Sequence, residues 1–156
     1  MHTEPGHKHL LILACSNRKR PDPALLPAID RYTGVNYIVI QKARRDGYLP
    51  ANLDILILSA KYGILHSNDL VPPYNLKMTS RQAKALQVEA SNALDLHLSN
   101  NYYSALFINL GRTYFTALAC SQQLPHLYSS TTFAYGGIGQ RMAQMKRWLM
   151  DLQHQQ

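Results

Sequence analysis

Three short polar segments each follow an apolar run that is typical of a buried strand. They are Cys-Ser-Asn-Arg-Lys (15–19), Ser-Ala-Lys-Tyr-Gly (59–63) and Gly-Arg-Thr-Tyr (111–114). Ligands of open parallel α/β sheets bind in the crevice at the carboxyl ends of the strands, so we expect the three segments to form one site. Hydrogen-bond donors and cations dominate these segments, which favours an anionic ligand.

The first segment combines a thiol, a hydroxyl and two cations. Ser16, Lys19 and the backbone N–H groups can cradle a phosphate or a carboxylate. Cys15 is a candidate nucleophile if a neighbouring cation favours its thiolate. The position is also compatible with a buried cysteine that ends a strand, because free cysteine is among the most buried residue types.

The second segment is the most specific local signal in the sequence. Lys61 comes directly after a buried strand, so its ammonium group must reach solvent or meet an anion. Lys61 can neutralise charge or act as a nucleophile, and Tyr62 beside it can stack on a base. Ser59 adds a hydroxyl to the same predicted site. The alternative is an exposed strand end with a tyrosine packed flat on the surface.

The other candidate ligand-binding residues lie in segments rich in proline, glycine or cations. A proline pair presents a tyrosine, and clustered glycines before the last helix can bind an anion through N–H groups and the helix dipole. These candidates are Tyr74, Gly111, Arg112, Gly137, Gly139 and Arg141. A rigid loop and a plain turn are the structural alternatives.

The charge balance is basic, because 16 Lys and Arg residues against 9 Asp and Glu residues give a formal net charge of +7. Such a balance favours a polyanionic partner, either a phosphate-bearing ligand or nucleic acid. Arg44, Arg45, Lys146 and Arg147 lie on predicted helices and are candidates for a nucleic-acid surface. Ordinary solvated helix faces explain the same residues.

No spacing of histidine and cysteine is typical of a metal site, and we expect neither a metal nor a cofactor. The N-terminal residues are polar, and no apolar run approaches the length of a membrane span. These features predict a cytoplasmic protein without membrane contact, in which both cysteines stay reduced.

Strands and helices alternate along the 156 residues, which predicts one α/β domain over residues 1–156 with a flexible leader at 1–8. The predicted strands cover 9–14, 53–58, 103–110 and 130–134, and the predicted helices cover 36–46, 79–100, 112–121 and 140–152. Residues 64–78 are predicted to form a long loop. The expected fold has three layers: a central, mostly parallel sheet of four or five strands, with helices on both faces.

The same motifs carry a family resemblance over most of the chain. Bacterial and phage proteins often labelled YaaA-like, after the peroxide-stress proteins, share Cys15-Ser16-x-x-Lys19, Leu58-Ser59-Ala60-Lys61-Tyr62-Gly63 and Pro73-Tyr74. This resemblance implies DNA binding and protection against oxidative damage. The Cys-Ser-x-x-Lys and Pro-x-Tyr motifs are also distantly similar to the uracil-DNA-glycosylase-like domain of archaeosine-pathway enzymes, which implies handling of nucleobases.

Two functional hypotheses follow from the sequence. The first is a protein that handles a nucleotide, nucleobase or nucleic acid in an anion-binding pocket at the strand ends. Catalysis is open under this hypothesis because no clear acid–base pair is evident. The second is a non-catalytic DNA-binding or oxidative-stress protein that uses its basic helical surfaces.

Overall fold

Strands and helices alternate along residues 8–154, the part of the chain that the computed structural model describes. The strands are β1 (His9–Ala14), β2 (Leu26–Pro27), β3 (Leu53–Ser59), β4 (Gly63–His66), β5 (Leu70–Val71), β6 (Ala105–Asn109) and β7 (Thr131–Phe133). The helices are α1 (Ala28–Arg31), α2 (Val35–Asp46), α3 (Ser80–Asn100), α4 (Arg112–Thr116) and α5 (Ile138–Gln153), with a 3₁₀ helix at Leu124–Ser130.

Five strands form one sheet in the order β4-β3-β1-β6-β7. β1 pairs in parallel with β3 and β6, β7 pairs in parallel with β6, and β4 is antiparallel to β3. The central strands are continuous apolar runs because both faces of the sheet are covered, and Leu10 to Leu13 are completely buried. The predicted mostly parallel sheet of four or five strands is therefore confirmed.

Helices cover both faces of this sheet and give the predicted three layers. α2 packs with α5, and α3 packs with α4. The connection from β1 to β3 moves in one direction across the sheet and the connection from β3 to β6 moves back. Right-handed crossovers therefore place α2 and α3 on opposite faces. The expected ends of two helices are also confirmed: Thr79 Oγ1 caps α3 by accepting from Gln82 N, and Gly47 ends α2 at a φ of 80°.

Three details of the predicted elements are wrong or lie outside the described residues. The segment 64–78 contains most of β4 and all of β5, because the turn after β3 folds the chain back into an antiparallel pair. α4 ends at Thr116, after which backbone bonds between residues three apart replace the α-helical pattern. Residues 1–7 of the predicted leader lie outside the described part, and Lys8 pairs with Asp54 at 3.0 Å.

A buried arginine shapes the long loop between β1 and α2. The side chain of Arg31 is fully buried and donates to the backbone carbonyls of Arg20, Asp22, Ala24 and Val71. A buried guanidinium is tolerated when its N–H groups are hydrogen-bonded in this way. The loop is thereby fixed against β5, which positions the polar residues that follow β1.

No helix within residues 8–154 is both long and apolar enough to cross a lipid bilayer.

Candidate functional site

Side chains from four segments meet beyond the carboxyl ends of β1 and β3. We call this group the lysine–tyrosine cluster; its members are Lys19, Tyr32, Ser59, Lys61 and Tyr74. The hydroxyl of Tyr74 lies at its centre, 2.6 Å from the hydroxyl of Tyr32 and 2.8 Å from Ser59 Oγ. Tyr32 is brought there by an isolated bridge between its backbone and that of Lys19. Residues distant in the sequence thus share one hydrogen-bond network.

Two ammonium groups lie on the aromatic rings of this cluster. Lys19 Nζ is 4.5 Å from the ring centroid of Tyr74, and Lys61 Nζ is 5.9 Å from the same centroid and 5.4 Å from that of Tyr62. Among residues 8–154, no carboxylate forms an ion pair with either lysine. The rings stabilise the two cations only weakly, so an anion can still bind to both.

Burial sets the ionisation of the cluster. It lowers the pKa of Lys19 from its ordinary value, an effect that the nearby Cys15 partly opposes. Burial also raises the pKa of Tyr32 to about 12 and raises the pKa of Tyr74 above its usual range. Both phenols therefore stay neutral near pH 7 and can serve as hydrogen-bond donors. The only formal charges in the cluster are positive.

A serine turn fixes the position of Lys61. Ser59 is fully buried at the end of β3, and its Oγ accepts from the backbone N–H of Lys61 (3.2 Å) and of Tyr62 (3.1 Å). Gly63 then adopts a φ of 70°, which glycine tolerates without strain, and begins β4. The Ser-x-Lys-Tyr-Gly pattern is therefore a tight turn that holds the lysine at the rim of the sheet.

Cys15 lies next to the cluster, at the end of β1, but it is buried. Its Sγ is 3.4 Å from the hydroxyl of Tyr114, which also donates to the backbone carbonyl of Cys15 at 3.4 Å. Burial raises the pKa of Tyr114, so this phenol stays protonated and is not a base for the thiol. The described residues place no carboxylate or imidazole in hydrogen-bond contact with Cys15.

A cavity opens on the other side of β1, where the topology predicts a ligand crevice. β1 and β6 are neighbours whose following helices lie on opposite faces, and such a point in an open α/β sheet leaves a gap between the strand ends. The gap has a volume of about 350 Å³, and we call it the switch-point cleft. Its lining includes Ala14, Asn36, Asn109, Gly111, Tyr114 and Arg141.

The guanidinium of Arg141 is fixed at this cleft by backbone carbonyls. Its Nε donates to Gly136 O at 3.0 Å, and its Nη1 lies 3.3 Å from Leu110 O and 3.5 Å from Asn109 Oδ1. Asn109 in turn donates to Asn36 Oδ1 at 3.0 Å. No acidic side chain in the described range forms an ion pair with Arg141. The cleft thus contains a positioned cation.

The structure brings most of the predicted site residues to the same edge, but it uses two of them for other contacts. Ser16 Oγ donates to Arg18 O (2.6 Å) and accepts from Gly34 N (3.1 Å), so its hydroxyl holds the loop. The N–H of Gly137 donates to Gln140 Oε1, and the first turn of α5 is thereby capped by its own side chain. Gly139, two residues further on, is exposed.

The predicted nucleic-acid surface lies apart from these cavities. Arg44 and Arg45 are at the end of α2 and pair with Asp30 (3.6 Å) and Asp46 (3.5 Å). Lys146 and Arg147 are exposed in the second half of α5. Both helices begin at the carboxyl edge of the sheet and run back along it, so Lys146 and Arg147 lie away from the lysine–tyrosine cluster. Arg45 lines a cavity of about 440 Å³ that Tyr32 also lines.

One phenol of the site, Tyr32, was not among the candidate ligand-binding residues predicted from the sequence. Its side chain is buried within the lysine–tyrosine cluster. Ten tyrosines occur in the chain, and nothing in the position of Tyr32 singles it out. Tyr114 belongs to the Gly-Arg-Thr-Tyr segment that was predicted to join the site, and it lines the switch-point cleft beside Cys15.

Within residues 8–154, histidine, cysteine and acidic side chains form no group of three that could hold a metal ion. Comparison with curated proteins and with solved structures finds no match for this chain. A family model does match residues 10–147, which include every part of the site described above. The chain belongs to this family, DUF6884, a family of unknown function.

Proposed function

We propose that the protein binds a phosphate-bearing ligand, a nucleotide or nucleic acid, at the carboxyl edge of its sheet. The observation that carries this proposal is the pair of ammonium groups, Lys19 and Lys61, on the ring of Tyr74 without an acidic partner among the described residues. Phosphate is multiply charged and accepts several hydrogen bonds, so it matches the two ammonium groups. Arg141 adds a cation on the other side of β1.

The side chains of the site have different roles in this proposal. Lys19 and Lys61 neutralise the phosphate, and Lys61 is also the candidate nucleophile. Tyr62 is half-buried and meets Tyr74 edge-on at 5.3 Å, so one of its faces can contact a base. The ring of Tyr74 already lies against both lysines and its hydroxyl is shared with Tyr32 and Ser59. Tyr74 therefore positions the cations rather than stacking on a base.

In this proposal, any reaction of the bound ligand is catalysed by positioning the ligand and by electrostatic stabilisation. The cluster offers cations and neutral phenols, and the hydrogen-bond partner of Cys15 is a phenol rather than a base. Such groups stabilise a developing negative charge well but do not abstract a proton at neutral pH. The free thiols of Cys15 and Cys120 fit a reducing, cytoplasmic setting, which we include in the proposal.

Isothermal titration with inorganic phosphate and adenosine 5′-monophosphate tests the proposal. Lys19→Ala and Lys61→Ala should each weaken binding about 10- to 100-fold, because each removes one charge-assisted contact. Lys146→Ala removes an equal charge from the exposed face of α5 and is the matched control, with no expected change. No binding by the wild-type protein, or an equal loss in the control, would show that the proposal is wrong.

The alternative is a non-catalytic, stress-related DNA-binding protein that uses the basic helices. The packing of α2 on α5 favours it, because the two helices that carry Arg44, Arg45, Lys146 and Arg147 cover the same face of the sheet. Two of the four cations are already paired with aspartates, which reduces their attraction for phosphate. If duplex DNA binds and Lys146→Ala weakens it while Lys61→Ala does not, this alternative is correct.

A further inference from the structure

A further cavity, at the carboxyl end of β6, combines aromatic rings with arginines. It has a volume of about 530 Å³, and we call it the aromatic hollow. Phe133 on β7 lies at its centre, with its ring centroid 6.1 Å from that of Phe115 and 5.5 Å from that of Tyr128. Arg112 and Arg141 also line it. Arg112 was predicted from the sequence to be a ligand-binding residue, whereas these rings were not.

The aromatic rings of the hollow are partly exposed to solvent. Phe133 is 39% exposed and Tyr128 is 44% exposed, although both are large rings that a core would normally cover. Arg112 is exposed, and no acidic side chain in the described part of the chain pairs with it. Exposed rings beside unpaired arginines match the chemistry of a nucleobase joined to a phosphate.

The aromatic hollow adjoins the switch-point cleft, because Arg141 lines both cavities. The buried contact between Cys15 and Tyr114 lies between that cleft and the lysine–tyrosine cluster. The three sites follow the strand order β3-β1-β6-β7 along one edge of the sheet. Three intervals between neighbouring strands span about 14 Å. At a stacking repeat of roughly 3.4 Å, this length exceeds a single nucleotide.

We infer that the ligand is a single-stranded nucleic acid that lies along this edge. Its phosphates contact Lys61, Lys19, Arg141 and Arg112 in turn, and one of its bases enters the aromatic hollow. A duplex does not fit this arrangement, because paired and stacked bases present only their edges and cannot place a face on Phe133. The inference rests on the proposed function, which supplies the phosphate contacts, and extends it by naming a ligand longer than one nucleotide.

Fluorescence anisotropy with labelled thymidine mononucleotide and labelled hexathymidylate tests this inference. The hexanucleotide should bind more tightly than the mononucleotide. Phe133→Ala should weaken binding of the hexanucleotide about 5- to 100-fold, because a base stacked on an aromatic side chain contributes on this scale. Arg112→Gln should also weaken it, because this change removes a charge-assisted contact with phosphate. Phe133→Ala should leave binding of inorganic phosphate, which has no base, unchanged in isothermal titration, whereas Lys61→Ala should weaken binding of both phosphate and the hexanucleotide.

The outcomes separate this inference from the proposed function. If the mononucleotide binds through Lys61 and the hexanucleotide binds no more tightly, the inference is wrong and the proposed function stands. If the hexanucleotide binds through Phe133 and Lys61→Ala has no effect, the phosphate site is wrong and the aromatic hollow stands. Equal binding of duplex and single strand overturns the inference. Tyr128→Ala replaces Phe133→Ala if a thermal melt shows that the latter is unfolded.

Discussion

Tyr74 has two separable roles, because its hydroxyl holds the hydrogen-bond network and its ring holds the lysines. Tyr74→Phe removes the hydroxyl and leaves the hydroxyls of Tyr32 and Ser59 without their shared partner. We expect the free energy of unfolding, measured by urea denaturation, to fall by about 1–3 kcal/mol. The affinity for inorganic phosphate should stay close to that of the wild type, because the ring remains.

Tyr102→Phe is the matched control for this prediction. Tyr102 is 80% exposed, and removing an exposed hydroxyl should change the free energy of unfolding by less than about 0.5 kcal/mol. If Tyr74→Phe is as stable as this control, the network of three hydroxyls does not contribute to the stability of the protein. If it loses phosphate binding instead, the hydroxyl contacts the ligand directly.

Lys19 makes phosphate binding depend on pH in a defined direction. Burial lowers its pKa below the ordinary 10.5, so its ammonium group is lost at a lower pH than that of an exposed lysine. The phosphate needs the protonated form, and affinity should therefore decrease as the pH rises toward the lowered pKa. Lys19→Arg keeps its charge throughout this range and should delay the decrease to higher pH.

Titration calorimetry with adenosine 5′-monophosphate over a series of alkaline buffers measures this effect. Lys61→Arg is the matched control, because it makes the same substitution at the exposed lysine and should leave the early decrease in place. An affinity that rises with pH in the wild type contradicts the prediction. The same is true if Lys19→Arg and the wild type lose affinity together.

The start of α2 is the element on which the loop after β1 depends. Gly34 precedes this helix, and a Cβ built at Gly34 would lie only 2.7 Å from Ser16 Cβ. Gly34→Ala should therefore push the two segments apart and lower the free energy of unfolding by about 1–3 kcal/mol. Gly111→Ala is the control, since its Cβ would meet no atom within 4 Å.

Urea denaturation of both glycine variants, together with phosphate titration, checks this prediction. Gly34→Ala should also weaken phosphate binding, because the displaced loop carries Lys19. Gly111→Ala should stay within about 0.5 kcal/mol of the wild type in its free energy of unfolding. A stable Gly34→Ala variant would mean that the loop moves without cost, and Ser16 would then have no fixed position.

The elements of the sheet differ in how much of them the sequence predicts. β1, β3 and β6 are buried on both faces, and their continuous apolar runs reveal them directly. β4 was missed because Gly63–His66 is short and becomes a strand only by folding back on β3 after the Ser59 turn. α4 was predicted too long because its sequence does not show where the backbone changes to bonds between residues three apart.

In the candidate site, too, the residues that a local sequence pattern identifies were predicted, and the contacts between distant residues were not. Lys61 and Lys19 were predicted to be site residues because a charged side chain that follows a buried strand must reach solvent or meet an opposite charge. The network that joins Tyr74 to Tyr32 crosses 42 positions of the sequence, and no local pattern contains it. Gly137 was predicted to offer an N–H group to an anion, but Gln140 lies one turn away and accepts from it instead.

At the scale of the whole molecule, an acidic group balances a lysine at the opposite edge of the sheet from the candidate site. Asp54 accepts from Tyr103 (2.6 Å) and pairs with Lys8 (3.0 Å), and the same tyrosine hydroxyl lies 2.5 Å from His97 Nε2. Burial, with the nearby His66, lowers the pKa of His97. Burial alone would raise the pKa of Asp54, but its hydrogen bonds hold the pKa below the ordinary value.

The titratable groups at this edge should lower the free energy of unfolding at acidic pH. The unfolded chain protonates His97 near pH 6.5, and the folded chain does so only at a lower pH, so stability decreases as the pH falls below about 6.5. Asp54 adds a further decrease below about pH 3.8. Urea denaturation should show that His97→Gln flattens the first decrease, whereas His126→Gln at an exposed position does not. Equal pH profiles for both variants contradict the assignment to His97.

The distribution of charge over the molecule gives the last prediction, which distinguishes the edge of the sheet from the basic helices. Four cations, Lys19, Lys61, Arg112 and Arg141, lie along the proposed path of a single strand. Each phosphate contact releases counterions, and a single strand loses affinity with a logarithmic salt slope of about −0.7 per contact. The four cations therefore predict a slope of about −3 for hexathymidylate.

Anisotropy titrations at several salt concentrations measure this slope. Arg112→Gln should reduce its magnitude by about 0.7, because one contact is removed. Lys146→Ala lowers the net charge by the same amount and should leave the slope unchanged, since Lys146 is exposed in the second half of α5, outside the path. A net charge of +7 acting non-specifically would make the two variants equivalent, because a diffuse attraction depends on total charge alone. Different slopes for two equal changes in charge therefore require a path with defined contacts.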